Sequence, residues 1–288
     1  MHVVNRLVTV PADSTTDGDI TADSLNPDGS RTIVLSGTKR LGGTPGMLGY
    51  KVPEPDRFLA AGLRRALADS GVTAAPASRT RPAFPTAYDS AQVVAEHVSL
   101  PFRETAKVIL KVSQNLHASM MPYVLGAVLK GATGVQAGFD LEHEMLSKAG
   151  LDLTGAVQSD GAGGAALFSP DFMVSYLRWM ATQPTFAAFK HGLPILGRDG
   201  TLAKISVDAP AAGHVFAKTG TFVDQDLLNR GWIVQGKGLA GYMTTRAGHQ
   251  LAFAIYLNRI KVSKPSQFQE LVGQAAGDIA AAMYDAIP

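Results

Sequence analysis

Between His214 and Phe222 the chain reads His-Val-Phe-Ala-Lys-Thr-Gly-Thr-Phe, a stretch with the make-up of a buried strand that nevertheless carries an ammonium and two hydroxyls. Val215 and Ala217 alternate with Phe216 and Lys218, and β-branched and aromatic residues favour the pleat. Gly220 removes a side chain where another group can approach the backbone. Such a strand suits the capture of a carboxylate. Lys218 offers a point charge, Thr219 and Thr221 offer hydroxyl donors, and the backbone N–H of Thr221 can face a developing oxyanion. Taken singly, Lys-Thr-Gly is a weak motif, and a solvated lysine beside a turn is the plain alternative.

A second tripeptide, Ser113-Gln114-Asn115, lies 105 positions earlier (218 − 113). It falls between two apolar runs of helical character, Phe102–Val112 and Leu116–Leu129, so Ser113 and Asn115 are expected in a short inter-helix connection, facing a cleft. An ordinary Ser/Asn turn is its plain alternative.

Composition narrows the classes. With 288 residues and 46% hydrophobic content the chain can bury a real core as one large domain or two. The formal charge is +2, from 26 basic and 24 acidic residues, with no basic run, which argues against nucleic acid or an anionic membrane as partner. The lack of cysteine excludes disulfides, thiol catalysis and zinc–thiolate sites. Met1–Arg6 does not read as a signal peptide, and no span is long enough to cross a bilayer.

In order, residues 1–82 read as short strands, Arg6–Val10 and Thr32–Leu35, separated by turns such as Asn26-Pro27-Asp28-Gly29. A packing helix follows from Asp56, with Phe58, Leu59, Leu63, Ala66 and Leu67 at helical spacing and Gly71 as its stop. Thr73–Pro85 is a proline-rich linker, and a second domain, 83–288, begins within it. Helices are expected over Ser90–His97, Phe102–Val112, Leu116–Leu129, Gly138–Ala149 and Pro170–Thr182. Strands then follow over Gly231–Gln235, Ala240–Thr245 and Gln250–Asn258, with Arg246–His249 as a tight turn. Apolar residues on both faces of Gln250–Asn258 predict a central strand. A closing helix is expected to start at a capping box, Ser266 and Gln269. It would lay Phe268, Leu271, Val272, Ala275, Ile279 and Met283 on the sheet. The fold class is α/β (α+β).

Two rival motifs fail. Gly231–Gly238 approaches a phosphate-binding loop, but Gly238 replaces the required Ser/Thr, and a hairpin loop is the better reading. His143-Glu144 opens a zinc-protease signature whose second histidine is replaced by Ser147.

Together, Ser-x-Asn and Lys-Thr-Gly resemble the motif set of the penicillin-binding protein and serine β-lactamase superfamily. Leu193-Pro194-Ile195-Leu196-Gly197-Arg198-Asp199-Gly200-Thr201-Leu202 is similar to a segment of the D-alanyl-D-alanine carboxypeptidase/endopeptidase family, peptidase family S13. So are the hairpin Leu239–Asn258 and Val34-Leu35-Ser36-Gly37-Thr38. The resemblance implies a β-lactamase/transpeptidase-like fold: an antiparallel sheet flanked by helices with a helical subdomain, preceded by part of a β-rich insert. It implies serine-type cleavage of peptidoglycan stem peptides ending in D-Ala-D-Ala, acylation by β-lactams, no metal or organic cofactor, and a periplasmic or cell-envelope location. Ser113 would pass a proton to the leaving amine and Asn115 would hydrogen-bond the substrate amide. Lys218 would hold positive potential beside Ser113, with Thr219, Gly220 and Thr221 forming the substrate-binding edge.

Two departures stand out. Asp160-Gly161-Ala162-Gly163-Gly164-Ala165 replaces a serine-bearing segment of the family. The family's Ser-x-x-Lys nucleophile motif lies well over two hundred residues before Ser-x-Asn, whereas 112 residues precede Ser113. Ser36-Gly37-Thr38-Lys39 matches the pattern, but its glycine-rich surroundings oppose the helical turn that Ser-x-x-Lys needs. The expectation is therefore the C-terminal portion of a longer protein. It would lack the nucleophile and leave a sheet edge and a helix face open to self-association or to a missing N-terminal half. Two alternatives are a non-catalytic peptidoglycan-binding remnant and a self-contained serine β-lactamase or esterase using Ser36.

Overall fold

The computed structural model describes residues 1–14, 16–27, 30–43, 49–74, 93, 95–164 and 166–287, and the chain divides into two units, Met1–Val93 and Val94–Pro288. In the first unit, strands β1 (His2–Val10), β2 (Asp17–Leu25) and β3 (Arg31–Arg40) form a sheet in the order β1-β3-β2, with β1 parallel and β2 antiparallel to β3. The sequence reading located β1 and β3 but not β2, whose aspartates and serines carry turn chemistry. Main-chain pairing to β3 holds β2 nonetheless, aided by an Arg31–Asp23 ion pair at 2.9 Å. Strand β3 also runs on past Leu35, so Ser36 lies inside it, opposite Arg6 and Asp19, rather than at its end.

Helix α1 (Pro55–Asp69) forms where expected, yet none of its residues is buried, and Phe58, Leu59 and Leu63 are all more than half exposed. It is not the packing helix that its apolar spacing predicted. The linker expected over Thr73–Pro85 lies outside the described residues from residue 75 onward, as do Asp28 and Gly29 of the expected turn. Of the helix expected over Ser90–His97, the described residues, Val93 and Ala95–His97, are not helical.

The second unit opens with α2 (Phe102–Val112), α3 (Asn115–Lys130) and α4 (Gln136–Lys148). A short pair, β4 (Ala156–Val157) and β5 (Leu167–Phe168), and two further helices, α5 (Pro170–Met180) and α6 (Phe186–Gly192), follow. The sheet that organises this unit is antiparallel, in the order β6 (Val215–Asp226), β7 (Gly231–Thr244), β8 (Gln250–Val262).

Strand β7 is one continuous element. Gly236-Lys237-Gly238 pairs with both neighbours, so the hairpin loop expected there does not exist. Central position belongs to β7, not to β8. The apolar residues on both faces of β8 report helices on both faces. On one face Leu239, Met243 and Phe253 join Ala276, Ala280 and Tyr284 of the C-terminal helix; on the other, Tyr242, Ala240 and Ala252 meet Leu110, Leu177 and Leu193. Tyr242 ties the second layer down by donating its hydroxyl to the Leu177 carbonyl at 2.8 Å.

The C-terminal segment breaks into α7 (Gln267–Glu270) and α8 (Val272–Ala286). Helix α8 buries Val272, Gly273, Ala276, Gly277, Ala280 and Tyr284, while Ile279 and Leu271 face outward. Close approach to the sheet and to the Leu196–Ser206 segment selects small residues, so the predicted stripe is split: Val272 is buried and Phe268 and Met283 pack against the core, while Leu271, Ala275 and Ile279 face outward. Nor does the capping box form. Ser266 makes no side-chain cap, and Gln269 instead hydrogen-bonds Lys237 and the Thr201 carbonyl.

Candidate functional site

Helix α2 ends at Val112, and Ser113 takes the left-handed conformation (φ 57°, ψ 55°) that terminates a helix but is unusual for a residue with a side chain. Gln114 then caps α3, its side-chain oxygen accepting from the His117 N–H at 2.7 Å, and Asn115 begins the helix. The chain therefore turns from α2 into α3 within two residues, which brings Ser113 to the α2–α3 corner.

The segment that follows α6 fixes this corner. Asp199 accepts from Lys111 Nζ at 2.8 and 2.6 Å and from the Ile195 N–H at 2.8 Å, pinning the last turn of α2. Gly200 (φ 59°) allows the approach, since a β-carbon there would lie 2.6 Å from the Lys111 carbonyl oxygen. The same segment runs along the outer edge of β6: Leu196 N–H donates to the Val215 carbonyl at 3.0 Å and Ala217 N–H to the Pro194 carbonyl at 2.9 Å. One tether thus holds both α2 and β6.

Beyond Ala217 that edge is no longer covered by this segment. N–H groups two residues apart in a strand share an edge, so those of Thr219 and Thr221 point the same way as that of Ala217, away from β7. Gly220 has open space where a side chain would stand. Lys218 lies on the α2 side of the sheet and donates to Ser113 Oγ at 2.8 Å and to the Thr219 carbonyl at 2.6 Å. Burial, and secondarily the positive charge of Lys237, lower its pKa from 10.5 to about 8. Because the Ser113 hydroxyl accepts from Lys218, its own proton is left to be donated elsewhere.

Of the residues singled out in the sequence, Lys218 and Ser113 meet directly. Asn115, two residues from Ser113, is exposed, and its carboxamide makes no hydrogen bond among the described residues. The hydroxyls of Thr219 and Thr221 lie on the opposite face of β6 from Lys218. Thr219 Oγ1 pairs with Thr201 Oγ1 at 2.9 Å, and Thr221 Oγ1 accepts from Lys237 Nζ at 2.9 Å. The Asp160 loop packs nearby. Pro122 deprives the Ala118 carbonyl of its usual helical partner, and a β-carbon at Gly161 would sit 2.1 Å from that oxygen. The loop itself is closed by Asp160 Oδ1, which accepts from the Ala162 and Gly163 N–H groups at 2.6 Å each.

Ser36 and Lys39 do not form a helical pair. On the extended β3 they stand about 10 Å apart along the strand, and Ser36 Oγ is engaged by Thr21 Oγ1 at 3.0 Å. Among the described residues no group of three His, Asp or Glu side chains could hold a metal ion, and no helix is long and apolar enough to cross a membrane. Sequence reasoning missed Lys111, Lys237 and Gln269. Had β7 been read as one strand, register would have set Lys237 opposite Thr221.

The chain is 29% identical over 230 residues to a D-alanyl-D-alanine carboxypeptidase of an Actinomadura species, covering 77% of this chain and 42% of that protein. To the D-alanyl-D-alanine carboxypeptidase DacB of Haemophilus influenzae it is 26% identical over 216 residues, covering 73% and 42%. It spans about two fifths of the length of these curated relatives. The fold matches the crystal structure of penicillin binding protein 4 from Haemophilus influenzae with a TM-score of 0.70 at 20% identity, over 99% of this chain and 60% of that one. The same protein complexed with a β-lactam matches with a TM-score of 0.69 at 20% identity, over 99% and 63%. Residues 8–277 fit the model of one family, and the chain belongs to it: the D-Ala-D-Ala carboxypeptidase 3 (S13) family.

Proposed function

We propose that this chain carries the leaving-group and carboxylate-binding half of a serine-type D-Ala-D-Ala carboxypeptidase/endopeptidase acting on peptidoglycan stem peptides in the periplasm or cell envelope. The observation that carries the reading is the 2.8 Å contact between Lys218 Nζ and Ser113 Oγ beside the open edge at Gly220. In the complete reaction a serine gives its hydroxyl proton to a neighbouring base and attacks the carbonyl of the D-Ala-D-Ala amide, and the C–N bond breaks. Ser113 passes its proton to the departing D-alanine amine and recovers one from Lys218, and water then releases the acyl group. Asn115 hydrogen-bonds the substrate amide. Lys218 attracts the terminal carboxylate, and the Thr221 N–H stabilises the oxyanion.

The attacking serine is assigned to a segment corresponding to the part of the relatives that this chain does not span. Exposed apolar residues at the α2–α3 corner, Val112 and Leu116, support a second body covering it, either that segment or another copy of the chain. β-Lactams are inferred as ligands because they imitate the same substrate, and the related penicillin binding protein 4 has been crystallised with one. Extended geometry at Ser36 and Lys39 favours a peptidoglycan-binding remnant over a self-contained enzyme as the second reading.

Incubation with a fluorescent penicillin, followed by peptide mapping, tests the assignment. The expected result is no covalent adduct on this chain, with labelling appearing when the part of the relatives that it does not span is supplied. An adduct on Ser36 would overturn it, and failure to obtain labelling with a folded complex would leave the remnant reading in its place.

A further inference from the structure

Lys237 is 3% exposed, yet its ammonium group has only neutral hydrogen-bond partners, Thr221 Oγ1 at 2.9 Å and Gln269 Oε1 at 3.2 Å. No carboxylate pairs with it or with Lys218 among the described residues. A buried cation without a counter-ion is costly, and burial lowers its pKa. The fold nevertheless equips it with a dedicated acceptor: Gln269 turns its oxygen to Lys237 and donates its amide nitrogen to the Thr201 carbonyl at 3.0 Å. Gly273 supplies the room, since a β-carbon there would stand 2.9 Å from Gln269 Oε1. Thr201 in turn meets Thr219. Both threonines of Lys-Thr-Gly-Thr are therefore anchored from behind, through Lys237, Gln269 and Thr201.

We propose that Lys237 is a positioning residue and second cation of the site: it orients the Thr221 hydroxyl as a donor toward an incoming carboxylate and adds positive charge behind Lys218. The chemistry follows from donor counting. A lysine ammonium can only donate, so Thr221 Oγ1 must accept from it, and the single proton of the threonine is left for a ligand on the exposed side of β6. Lys218 approaches the open strand edge from one face of the sheet and Lys237 from the other. An anion at Gly220–Thr221 is thus attracted by two charges while touching one ammonium. The ligand class, a peptide ending in a free carboxylate, rests on the function proposed above; the action of Lys237 on Lys218 does not.

Nuclear magnetic resonance on this chain separates the two. With 13C-labelled lysine, the titration of Lys218 is followed in the wild type, in Lys237→Met, and in Lys237→Gln, which retains a donor to Thr221 but no charge. Both variants are expected to move the Lys218 midpoint upward by several tenths of a pH unit, and an unchanged midpoint in a folded variant overturns the electrostatic role. N-Acetyl-D-alanyl-D-alanine and its C-terminal amide are then compared as ligands. The wild type should prefer the acid, and Lys237→Met and Thr221→Val should each lose about tenfold of that preference, whereas an undiminished preference overturns the positioning role. If the wild type shows no preference, the carboxylate reading and the positioning of Thr221 toward it fail, while the Lys218 titration still decides the charge effect.

Discussion

Replacing Lys218 by methionine should uncouple stability from ligand capture, because the folded chain holds this ammonium at a cost. Its pKa falls from 10.5 to about 8 on folding, chiefly through burial. At about 1.4 kcal/mol per pH unit, that difference corresponds to roughly 3 kcal/mol of destabilisation at pH 7. Between about pH 8 and 10.5 the unfolded chain still holds the proton that the folded chain has released. Stability therefore rises with pH across this window, and the penalty shrinks to below about 1 kcal/mol by pH 10. Methionine removes the titration but also the bonds to Ser113 and Thr219, worth about 1 kcal/mol each. The clean quantity is thus the pH dependence of the difference between variant and wild type, not its value at one pH. Urea denaturation of both proteins at pH 7 and pH 10 should show the variant gaining roughly 2–3 kcal/mol relative to wild type on going from the higher to the lower pH. A difference that stays constant across that range would refute the placement of a buried ammonium at this position.

Three further outcomes follow from the same geometry. Asp199→Asn should cost about 1–2 kcal/mol in denaturant titrations, since the largely buried Lys111 loses its half-exposed carboxylate partner. Gly200→Ala should cost about 2 kcal/mol or more and broaden amide resonances around Ser113, because the new methyl meets the Lys111 carbonyl in a left-handed backbone. Affinity for N-acetyl-D-alanyl-D-alanine, measured by calorimetry, should hold from pH 6 to 7.5 and fall above about pH 8 as Lys218 loses its charge; an affinity that rises there would contradict the role of the ammonium.

The parts of this site that depend on local chemistry were legible in the sequence. Helix α2 has the bounds its apolar spacing predicts, and two tripeptides separated by 105 positions meet in one hydrogen bond. The parts that depend on neighbours were not. Strand β2 is polar enough to read as turns, and only its pairing with β3 makes it a strand. Glycines 236 and 238 read as a loop because a continuous β7 is enforced from both sides, by β6 and β8. The face of α8 was legible only at Phe268, Val272 and Met283, because contact distance, not hydrophobicity, selects Gly273, Ala276, Gly277 and Ala280 for burial in place of Leu271, Ala275 and Ile279. Gln269 looked like a capping residue, yet its side chain serves Lys237 and Thr201 across the fold.

The site as a whole is tested most directly by mapping where a D-alanyl-D-alanine ligand touches the 15N-labelled chain. Perturbations clustered at Ser113, Asn115, Gly220 and Thr221, and abolished in Lys218→Met, are the predicted result. Perturbations confined to β1–β3 around Ser36, or unaffected by loss of Lys218, would contradict it.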